Sequence, residues 1–222
     1  MKFLRAGICA LVAFSVLAHG AVEEWARAVL ETGAGFLFVV WALRYFFKRE
    51  ERIVFSPLLP PLAAFSFVVF VQWLFRWTAS PYNTRTELLL LFAELILLFL
   101  AVQAFRTLED WRGFVWFGMA LGFLVSVFGV LQHLTFNGKL YWFREMRYGG
   151  IPFGPYVNRN HFAGFVELVL PLALVPLVLG RVRRERWPIV GLFAILPIGA
   201  LFGLCIQSSR GRNCHFLSLL TQ

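Results

Sequence analysis

Charged side chains are scarce in this sequence. They make up 15% of its 222 residues, whereas hydrophobic residues make up 59% and aromatic residues 18%. Soluble domains usually contain about 25% charged and about 45–50% apolar residues. A globular core of this length cannot remove so much apolar surface from water, and a disordered chain would be polar. The composition therefore excludes both classes and predicts an integral membrane protein.

Several chemical signatures are also missing. Three cysteines are too few for a disulfide scaffold. The sequence has neither a GxxxxGKS/T loop nor a GxGxxG segment after a strand, so no nucleotide site is expected. The pair Cys214-His215 near Cys205 is too sparse for a zinc site. We expect no cofactor and no metal ion, and the short basic clusters between apolar runs argue against a nucleic-acid partner.

Apolar runs long enough to cross a bilayer recur along the chain. A helix crosses the roughly 30 Å hydrocarbon layer in about 20 residues. Because every backbone polar group must be satisfied internally in lipid, these runs predict helices. We therefore predict an all-α, polytopic transmembrane helical bundle in a single integral membrane domain. Its seven spans are expected near residues 6–22, 33–47, 53–75, 87–105, 113–134, 161–180 and 188–207.

Two of the predicted spans contain prolines. Pro57, Pro60 and Pro61 are expected to kink the third helix or delay its start, because proline lacks a backbone N–H. Pro171 and Pro176 are expected to do the same in the sixth helix. Broken helices often surround cavities in transporters, and they are also common in other membrane helices.

The distribution of Lys and Arg predicts the orientation of the chain. Both dense basic clusters, KREER at residues 48–52 and RVRRER at residues 181–186, fall on one side of the predicted spans. Because cytoplasmic loops are enriched in basic residues, we expect a cytoplasmic N-terminus. An alternative is that residues 1–21 form a signal peptide with a small-residue cleavage site. Residues 23–33 are expected outside in either case.

The longest outer loop is predicted at residues 135–160. It combines basic residues with the aromatic residues Tyr141, Trp142, Phe143 and Tyr148. Amphipathic aromatic rings favour the depth of the lipid headgroups, which is typical of an interfacial re-entry loop. The alternative is a basic and aromatic platform for a lipid-linked phosphate or a sugar, since the planar Arg fork suits phosphate oxygens.

Four polar residues, Asn158, Arg159, Asn160 and His161, stand at the start of the predicted sixth span. Asn158 or Asn160 could cap the helix, and Arg159 could extend to the membrane interface. These structural roles account for only part of the group. The free N–H groups and positive dipole end of a helix N-terminus also favour an anion.

Carboxylates are expected inside two of the predicted spans. Glu167 lies about two turns into the sixth span, on a face shared with Asn160 and with Gly164, whose small size would permit close helix contact. Glu94 lies in the fourth span, and Glu87 precedes it by two turns on the same face. An intramembrane carboxylate is expensive and indicates a functional site. The alternative is a structural ion pair or a neutral, hydrogen-bonded side chain.

Two segments of the chain resemble one membrane family. The first is NRNHFAGF at residues 158–165, followed by Glu167 and by LPLAL at residues 170–174. The second is QSSRG at residues 207–211, at the predicted outer end of a span. In this order, with one short loop between them, the segments resemble the superfamily of O-antigen ligases and O-antigen polymerases. The preceding spans are similar to the family only in hydropathy and spacing.

The resemblance implies an activity and a location. Family members move a glycan from a polyprenyl diphosphate carrier to a lipid A core sugar or another glycan acceptor. The reaction takes place at the outer face of the bacterial cytoplasmic (inner) membrane, so the implied partners are this glycan, its acceptor and membrane lipid. The family's signature arginine matches Arg210, which implies a contact with the diphosphate, and Arg159 occupies the other basic motif position. Asn160, His161 and Glu167 complete the implied substrate-binding set, and no catalytic residue is assigned.

The sequence also departs from the family. Members are longer, and after their Ser-Arg-Gly motif they continue with an apolar span, a large outer loop and further helices. Residues 211–222 diverge from that pattern, and His215 does not inherit the role of the family's distal histidine. The resemblance thus implies the amino-terminal portion of such an enzyme, shortened by a frameshift or an incomplete gene. Two other readings stay open: a transporter with Glu94 and Glu167 along its pathway, and a non-catalytic membrane fragment.

Overall fold

The computed structural model describes residues 1–47, 52–145, 152–180 and 182–200 of the chain. Helix accounts for 76% of the structure, and these ranges contain no strand, only two isolated bridges. The predicted all-α class is therefore confirmed. The helices are α1 (Lys2–Leu17), α2 (Glu24–Phe47), α3 (Leu59–Leu74), α4 (Pro81–Ala104), α5 (Leu108–Leu134) and α6 (Arg159–Val178), followed by a 3-10 turn (Arg184–Arg186) and α7 over residues 187–200.

Four of these helices are long and apolar enough to cross a membrane. They are α2, α4, α5 and the part of α6 from Asn160–Val178. α3 is apolar but shorter, at 16 residues. These helices indicate a membrane protein. The seven predicted spans stay a prediction, and residues 201–207 of the seventh lie outside the described residues.

α1 ends earlier than its apolar run. The run predicts a span as far as residue 22, but the helix ends at Leu17. His19, Gly20 and Ala21 have φ angles of 60°, 77° and 54°. These angles belong to the left-handed region, in which a right-handed helix cannot continue. The predicted end is wrong because hydropathy does not detect this backbone reversal.

The next two helices also differ from their predicted limits. α2 begins at Glu24 instead of residue 33, and its added turns bury Ala26 and Leu30 in a small apolar cluster. A helix forms its own backbone hydrogen bonds whether or not the segment is uniformly apolar. The apolar run therefore placed the start of α2 too late in the sequence. α3 begins at Leu59 instead of residue 53, with Pro60 in its first turn. The delayed start predicted from the prolines is confirmed.

Local capping signals set the starts of α4 and α5. α4 begins at Pro81 rather than residue 87, because proline suits the first position of a helix. α5 begins at Leu108 rather than residue 113. The Asp110 carboxylate accepts from the Thr107 N–H at 3.2 Å, and Thr107 Oγ1 accepts from the Asp110 N–H at 3.2 Å. This reciprocal cap precedes the apolar run, so the span length alone does not reveal it.

α6 is continuous through both of its prolines. It runs from Arg159 to Val178, close to the predicted 161–180, and contains Pro171 and Pro176. The helix is therefore not broken at either proline, and a kink at these positions stays a prediction. Proline removes one helical hydrogen bond, but membrane helices tolerate this loss where neighbouring groups and local adjustments compensate.

The chain forms two compact units, residues 1–113 and 114–222, and the boundary lies in the second turn of α5. The single membrane domain stays a prediction. In the first unit α1 and α2 pack antiparallel through two glycines. A Cβ added at Gly7 would lie 2.6 Å from a Leu37 methyl, and one added at Gly33 would lie 2.6 Å from a Leu11 methyl. The two helices therefore approach each other closely.

α4 packs along α2 in the same direction. Near the start of both helices, Arg27 Nη1 donates to Glu87 Oε1 at 2.8 Å. Toward their ends, Trp41 and Phe99 meet edge to face with ring centroids 4.8 Å apart. Such an aromatic pair contributes about 0.5–1.5 kcal/mol beyond the burial of its area.

A buried amide ties the segment before α3 to the end of α4. The Gln103 side chain is fully buried. Its Oε1 accepts from the Val54 N–H at 3.1 Å, and its Nε2 donates to the Val54 carbonyl at 2.7 Å. Arg106 adds a bond to the Arg52 carbonyl at 3.0 Å. These bonds fix the path of the chain just before α3.

In the second unit, α5 and α6 pack antiparallel through glycines of α5. A Cβ added at Gly118 would lie 2.6 Å from Leu172, and one added at Gly122 would lie 2.7 Å from Val169. Small residues let membrane helices approach closely, which strengthens their van der Waals contact. α7 packs on the same helices and buries Val190.

Replacing Gln103 by Leu should destabilise the first unit. The change keeps the volume but leaves the Val54 N–H and carbonyl without their partner, which costs about 1–3 kcal/mol. Gln72→Leu, at an exposed position of α3, is the matched control. The measurement is the free energy of unfolding from a denaturant titration in mixed micelles. Equal values for the two variants would contradict the role of Gln103.

Candidate functional site

The loop after α5 begins as a compact turn. Trp142 Nε1 donates to Thr135 Oγ1 at 2.9 Å, and Asn137 Nδ2 donates to the Trp142 carbonyl at 2.8 Å. Leu140 and Arg144 exchange both backbone hydrogen bonds, at 2.8 and 2.9 Å. The Leu140 side chain is buried. This part of the loop is therefore folded rather than extended.

The tip of this turn has a strained backbone. Tyr141 and Trp142 have φ angles of 53° and 65°, which cost a non-glycine residue about 1–2 kcal/mol each. Both rings pack on Phe128 of α5, with centroid distances of 5.1 Å for Tyr141 and 5.8 Å for Trp142. These contacts offset the strain. Phe143 beside them is 77% exposed, so the turn has an aromatic surface. Such a surface is needed both for an interfacial loop and for a platform that binds a lipid-linked phosphate or a sugar.

Residues 152–156 form a second turn, and all five are buried. Phe153 and Tyr156 exchange backbone hydrogen bonds at 2.9 and 3.3 Å, and Gly154 between them has a φ of 60°. The Phe153 ring packs directly on Gly129 of α5, where an added Cβ would lie 2.5 Å from a ring carbon. The close approach of this turn to α5 therefore requires glycine at position 129.

Gln132 joins the two turns. Its side chain is fully buried near the end of α5. In the amide orientation that satisfies both neighbours, Oε1 accepts from the Tyr141 N–H and Nε2 donates to the Gly154 carbonyl, both at 2.9 Å. A buried amide with both ends bonded favours a single arrangement of the loop. The sequence alone does not predict this role, because a lone glutamine in an apolar run has no distinguishing pattern.

His133 follows Gln132 and contacts the second turn. Its ring centroid lies 5.9 Å from that of Phe153. Nδ1 is buried and has no hydrogen-bond partner within the described ranges. Unpaired buried nitrogens are uncommon in folded proteins.

Two phenols of the loop are partly buried. Burial raises the pKa of Tyr141 to about 12, although the nearby Arg144 charge opposes the rise. Burial also raises the pKa of Tyr156 to about 12, and the proximity of Tyr141 adds to it. Both hydroxyl groups are therefore neutral over the physiological range and can donate and accept hydrogen bonds.

The start of α6 carries the sequence-predicted polar group. Asn158 Oδ1 accepts from the Asn160 N–H at 2.9 Å, so Asn158 caps the helix and one of the predicted alternatives is confirmed. Asn160 and His161 lie side by side in the first turn and are exposed. Arg159 begins the helix, and its side chain lies outside the described part of the structure.

Glu167 lies two turns further along α6 and is exposed. Within the described residues its carboxylate has no ion pair or hydrogen bond. Gly164, on the same side of the helix, has only open space where the described chain would meet a Cβ. The described residues make no close contact at Gly164, whereas three glycines of α5 have close neighbours. Asn160, Gly164 and Glu167 together form the polar face of α6.

The carboxylates of α4 differ from each other. Glu87 pairs with Arg27 and is explained by that structural contact. Glu94 is exposed. Arg210 lies outside the described residues, so its relation to the polar face of α6 stays a prediction. In the ranges that the structure describes, no three His, Cys, Asp or Glu residues are grouped to hold a metal ion.

Comparison with known proteins identifies no relative of this chain. No family model matches it, no curated protein matches it, and no solved structure matches it. The resemblance to O-antigen ligases and polymerases therefore depends on the two sequence segments alone.

Replacing Gly129 by Ala should displace the second turn of the loop. The added methyl would lie 2.5 Å from a Phe153 ring carbon and 3.3 Å from the Gly154 nitrogen, and neither neighbour yields as a flexible side chain does. Overpacking of this kind costs about 1–3 kcal/mol. The measurements are the free energy of unfolding and the rate of proteolysis within the loop.

Gly164→Ala is the control for this substitution. It places the same methyl on a helix where the described structure leaves open space, so stability should change by less than about 0.5 kcal/mol. An unchanged proteolysis rate and stability in Gly129→Ala would show that the turn does not pack on α5 in this way.

Proposed function

We propose that the chain takes part in transferring a polyprenyl-diphosphate-linked glycan to a lipid A core sugar or a glycan acceptor. The reaction is placed at the outer face of the bacterial cytoplasmic membrane. The observation that carries the proposal is the NRNHFAGF segment, followed by Glu167 and later by QSSRG. The exposed first turn of α6, with Asn160 and His161 beside a folded aromatic loop, is compatible with it.

The proposed chemistry needs polar groups at the membrane interface. An acceptor hydroxyl oxygen bonds to the anomeric carbon of the glycan while the bond from that carbon to the diphosphate oxygen breaks. The hydroxyl proton goes to a base, and the polyprenyl diphosphate leaves with the bonding electrons. Guanidinium groups stabilise the negative charge that builds on the leaving diphosphate. Arg210 has this role in the proposal, and Arg159 is the second candidate.

The remaining residues of the proposed site bind substrate. The side chains of Asn160 and His161 offer hydrogen-bonding groups at the N-terminus of α6, where the positive end of the helix dipole favours an anion. Glu167 lies deeper on the polar face of α6 and is a candidate for contact with a sugar hydroxyl or a cationic partner. Ligase and polymerase chemistry share these requirements, so the proposal covers the shared transfer step.

The transporter reading uses different features of the chain. Glu94 and Glu167 are exposed carboxylates on apolar helices, which is where a proton pathway would require them. Substrate-driven proton uptake into liposomes, combined with no binding of polyprenyl diphosphate, would favour this reading over glycan transfer.

Arg210→Ala should weaken the binding of polyprenyl diphosphate. A hydrogen bond to a charged group contributes about 1.5–3 kcal/mol, so the loss should be roughly ten- to a hundred-fold in affinity. Arg210→Lys should recover little, because Lys keeps the charge but loses the planar fork that bonds two oxygens. The measurement is the dissociation constant of the purified chain in detergent, with polyprenyl monophosphate as the comparison ligand.

Arg85→Ala, in the first turns of α4, controls for a general loss of positive charge. It should leave the dissociation constant unchanged. Equal affinities for the wild-type chain and a well-folded Arg210→Ala variant would reduce Arg210 to an interfacial anchor and remove the proposed diphosphate contact.

We also propose seven membrane spans and a cytoplasmic N-terminus. The test is cysteine labelling with a membrane-impermeant maleimide in a background where Cys9, Cys205 and Cys214 are replaced by Ser. Asn137→Cys, in the exposed loop after α5, should react in intact cells. Arg184→Cys, exposed after α6, should react only in permeabilised cells. The reverse pattern would reject this orientation.

A further inference from the structure

The first unit contains an apolar cavity between α2, α3 and α4. Its volume is about 500 Å³, within the range of about 300–1,000 Å³ that is usual for ligand pockets. Phe38 and Trp41 of α2, Ala63 of α3 and Phe99 of α4 line it, and these described walls expose no polar surface. Phe55, before α3, also lines the cavity and is 77% exposed, so the cavity opens at the surface of the unit.

Aromatic contacts preform one wall of this cavity. The Phe99 ring lies 4.8 Å from Trp41 and 6.3 Å from Phe38, measured between centroids. Phe38 and Trp41 lie 5.7 Å apart on α2. Three mutually packed rings lose little freedom when a ligand binds, which favours affinity.

The Gln103 amide holds the segment that carries Phe55. Both backbone groups of Val54 bond to this amide. Gln103 is also one turn beyond Phe99 on α4, so the apolar wall ends where the buried polar contacts begin. The cavity therefore has an apolar interior and a polar boundary at one end.

Arginines are concentrated at that end of the unit. Arg44 lies in the last turn of α2, Arg52 lies in the segment before α3, and Arg106 lies two residues after the end of α4. α1 brings Arg5 to the same end, where it pairs with Asp110. The other acidic residue described at this end is Glu109, and Arg44, Arg52 and Arg106 outnumber it, so the described residues give this end of the cavity a net positive charge.

We propose that the cavity binds one acyl chain of an anionic phospholipid, whose headgroup phosphate lies among Arg44, Arg52 and Arg106. An apolar space beside a cationic end is complementary to a molecule with a hydrocarbon tail and a phosphate. A neutral hydrocarbon would make no use of the arginines, and a soluble phosphate would leave the apolar space unfilled. The proposal does not depend on the glycan-transfer function.

Quenching of Trp41 fluorescence tests the occupant directly. The probe is phosphatidylglycerol with brominated acyl chains, added to the purified full chain in detergent, and brominated phosphatidylcholine is the comparison lipid. The chain keeps Trp41 and carries Phe in place of its other tryptophans. A second version keeps only Trp77, which is 70% exposed at the far end of α3. Trp41 should be quenched at lower phosphatidylglycerol concentration than Trp77.

Filling the cavity should remove the difference in quenching between Trp41 and Trp77. Ala63→Phe places a ring inside the apolar space, so Trp41 should be quenched no more strongly than Trp77. Ala64→Phe, the next position of the same helix, does not line the cavity and is the matched control. It should leave the quenching of Trp41 unchanged.

Removing two of the three arginines should weaken the preference for the anionic lipid. Each basic residue near an anionic headgroup contributes about fivefold in affinity, so the double variant Arg44→Gln, Arg52→Gln should bind phosphatidylglycerol about 25-fold more weakly. Its affinity for phosphatidylcholine should not change. Arg85→Gln, near the opposite end of α4, should leave both affinities unchanged.

Native mass spectrometry repeats the test without any tryptophan substitution. The wild-type chain and Ala64→Phe should retain one phosphatidylglycerol molecule under conditions in which Ala63→Phe loses it. The proposal is overturned if Ala63→Phe retains the lipid and leaves Trp41 quenching unchanged. Equal binding of the two lipids, or an unchanged preference in the double variant, overturns it as well.

Discussion

Polar groups inside a bilayer have no water to bond, and both units of this chain are organised by that constraint. Two fully buried glutamines supply the missing partners where the chain leaves helical structure. Gln103 bonds both backbone groups of Val54, and Gln132 bonds the backbones of Tyr141 and Gly154. Each amide therefore connects segments that are distant in sequence. Without it, two backbone groups would lose their partners near a medium in which an unpaired group costs several kcal/mol.

Close packing in the second unit depends on one face of α5. Lipid chains are as apolar as the side chains of the protein, so contact between membrane helices depends on shape more than on burial from water. Gly118 and Gly122 receive side chains of α6, and Gly129 receives the ring of Phe153 from the loop. The same face thus positions both the next helix and the loop that leads to it.

The sequence predicted the all-α class and the approximate positions of the helices, because apolar run length is a local property. It also included among its alternatives the delayed start of α3 and a cap at Asn158 or Asn160, because these follow from single residues and their immediate neighbours. The start of α5 was missed although Thr107 and Asp110 carry a capping signal, because the signal lies outside the apolar run. The roles of Gln103 and Gln132 could not be read locally, since their partners are brought to them only by tertiary folding.

The carboxylates of the apolar helices have two different environments. The environment of Glu167 on α6 also differs from that of the apolar cavity, and the two proposals depend on these two places. Glu87 is matched by Arg27, whereas Glu167 is exposed and has no partner among the described residues. A carboxylate without a polar partner is unfavourable in hydrocarbon, so the polar face of α6 favours contact with water or another polar molecule. A lipid-linked glycan has its diphosphate at the interface and its chain in the bilayer, and a helix that carries Asn160 at its start and Glu167 deeper can follow such a molecule. The cavity of the first unit is instead complementary to a hydrocarbon chain with a charged end, because its interior is apolar and its charge lies at one end. The two proposals therefore predict different kinds of lipid at the two sites, and either proposal can fail without affecting the other.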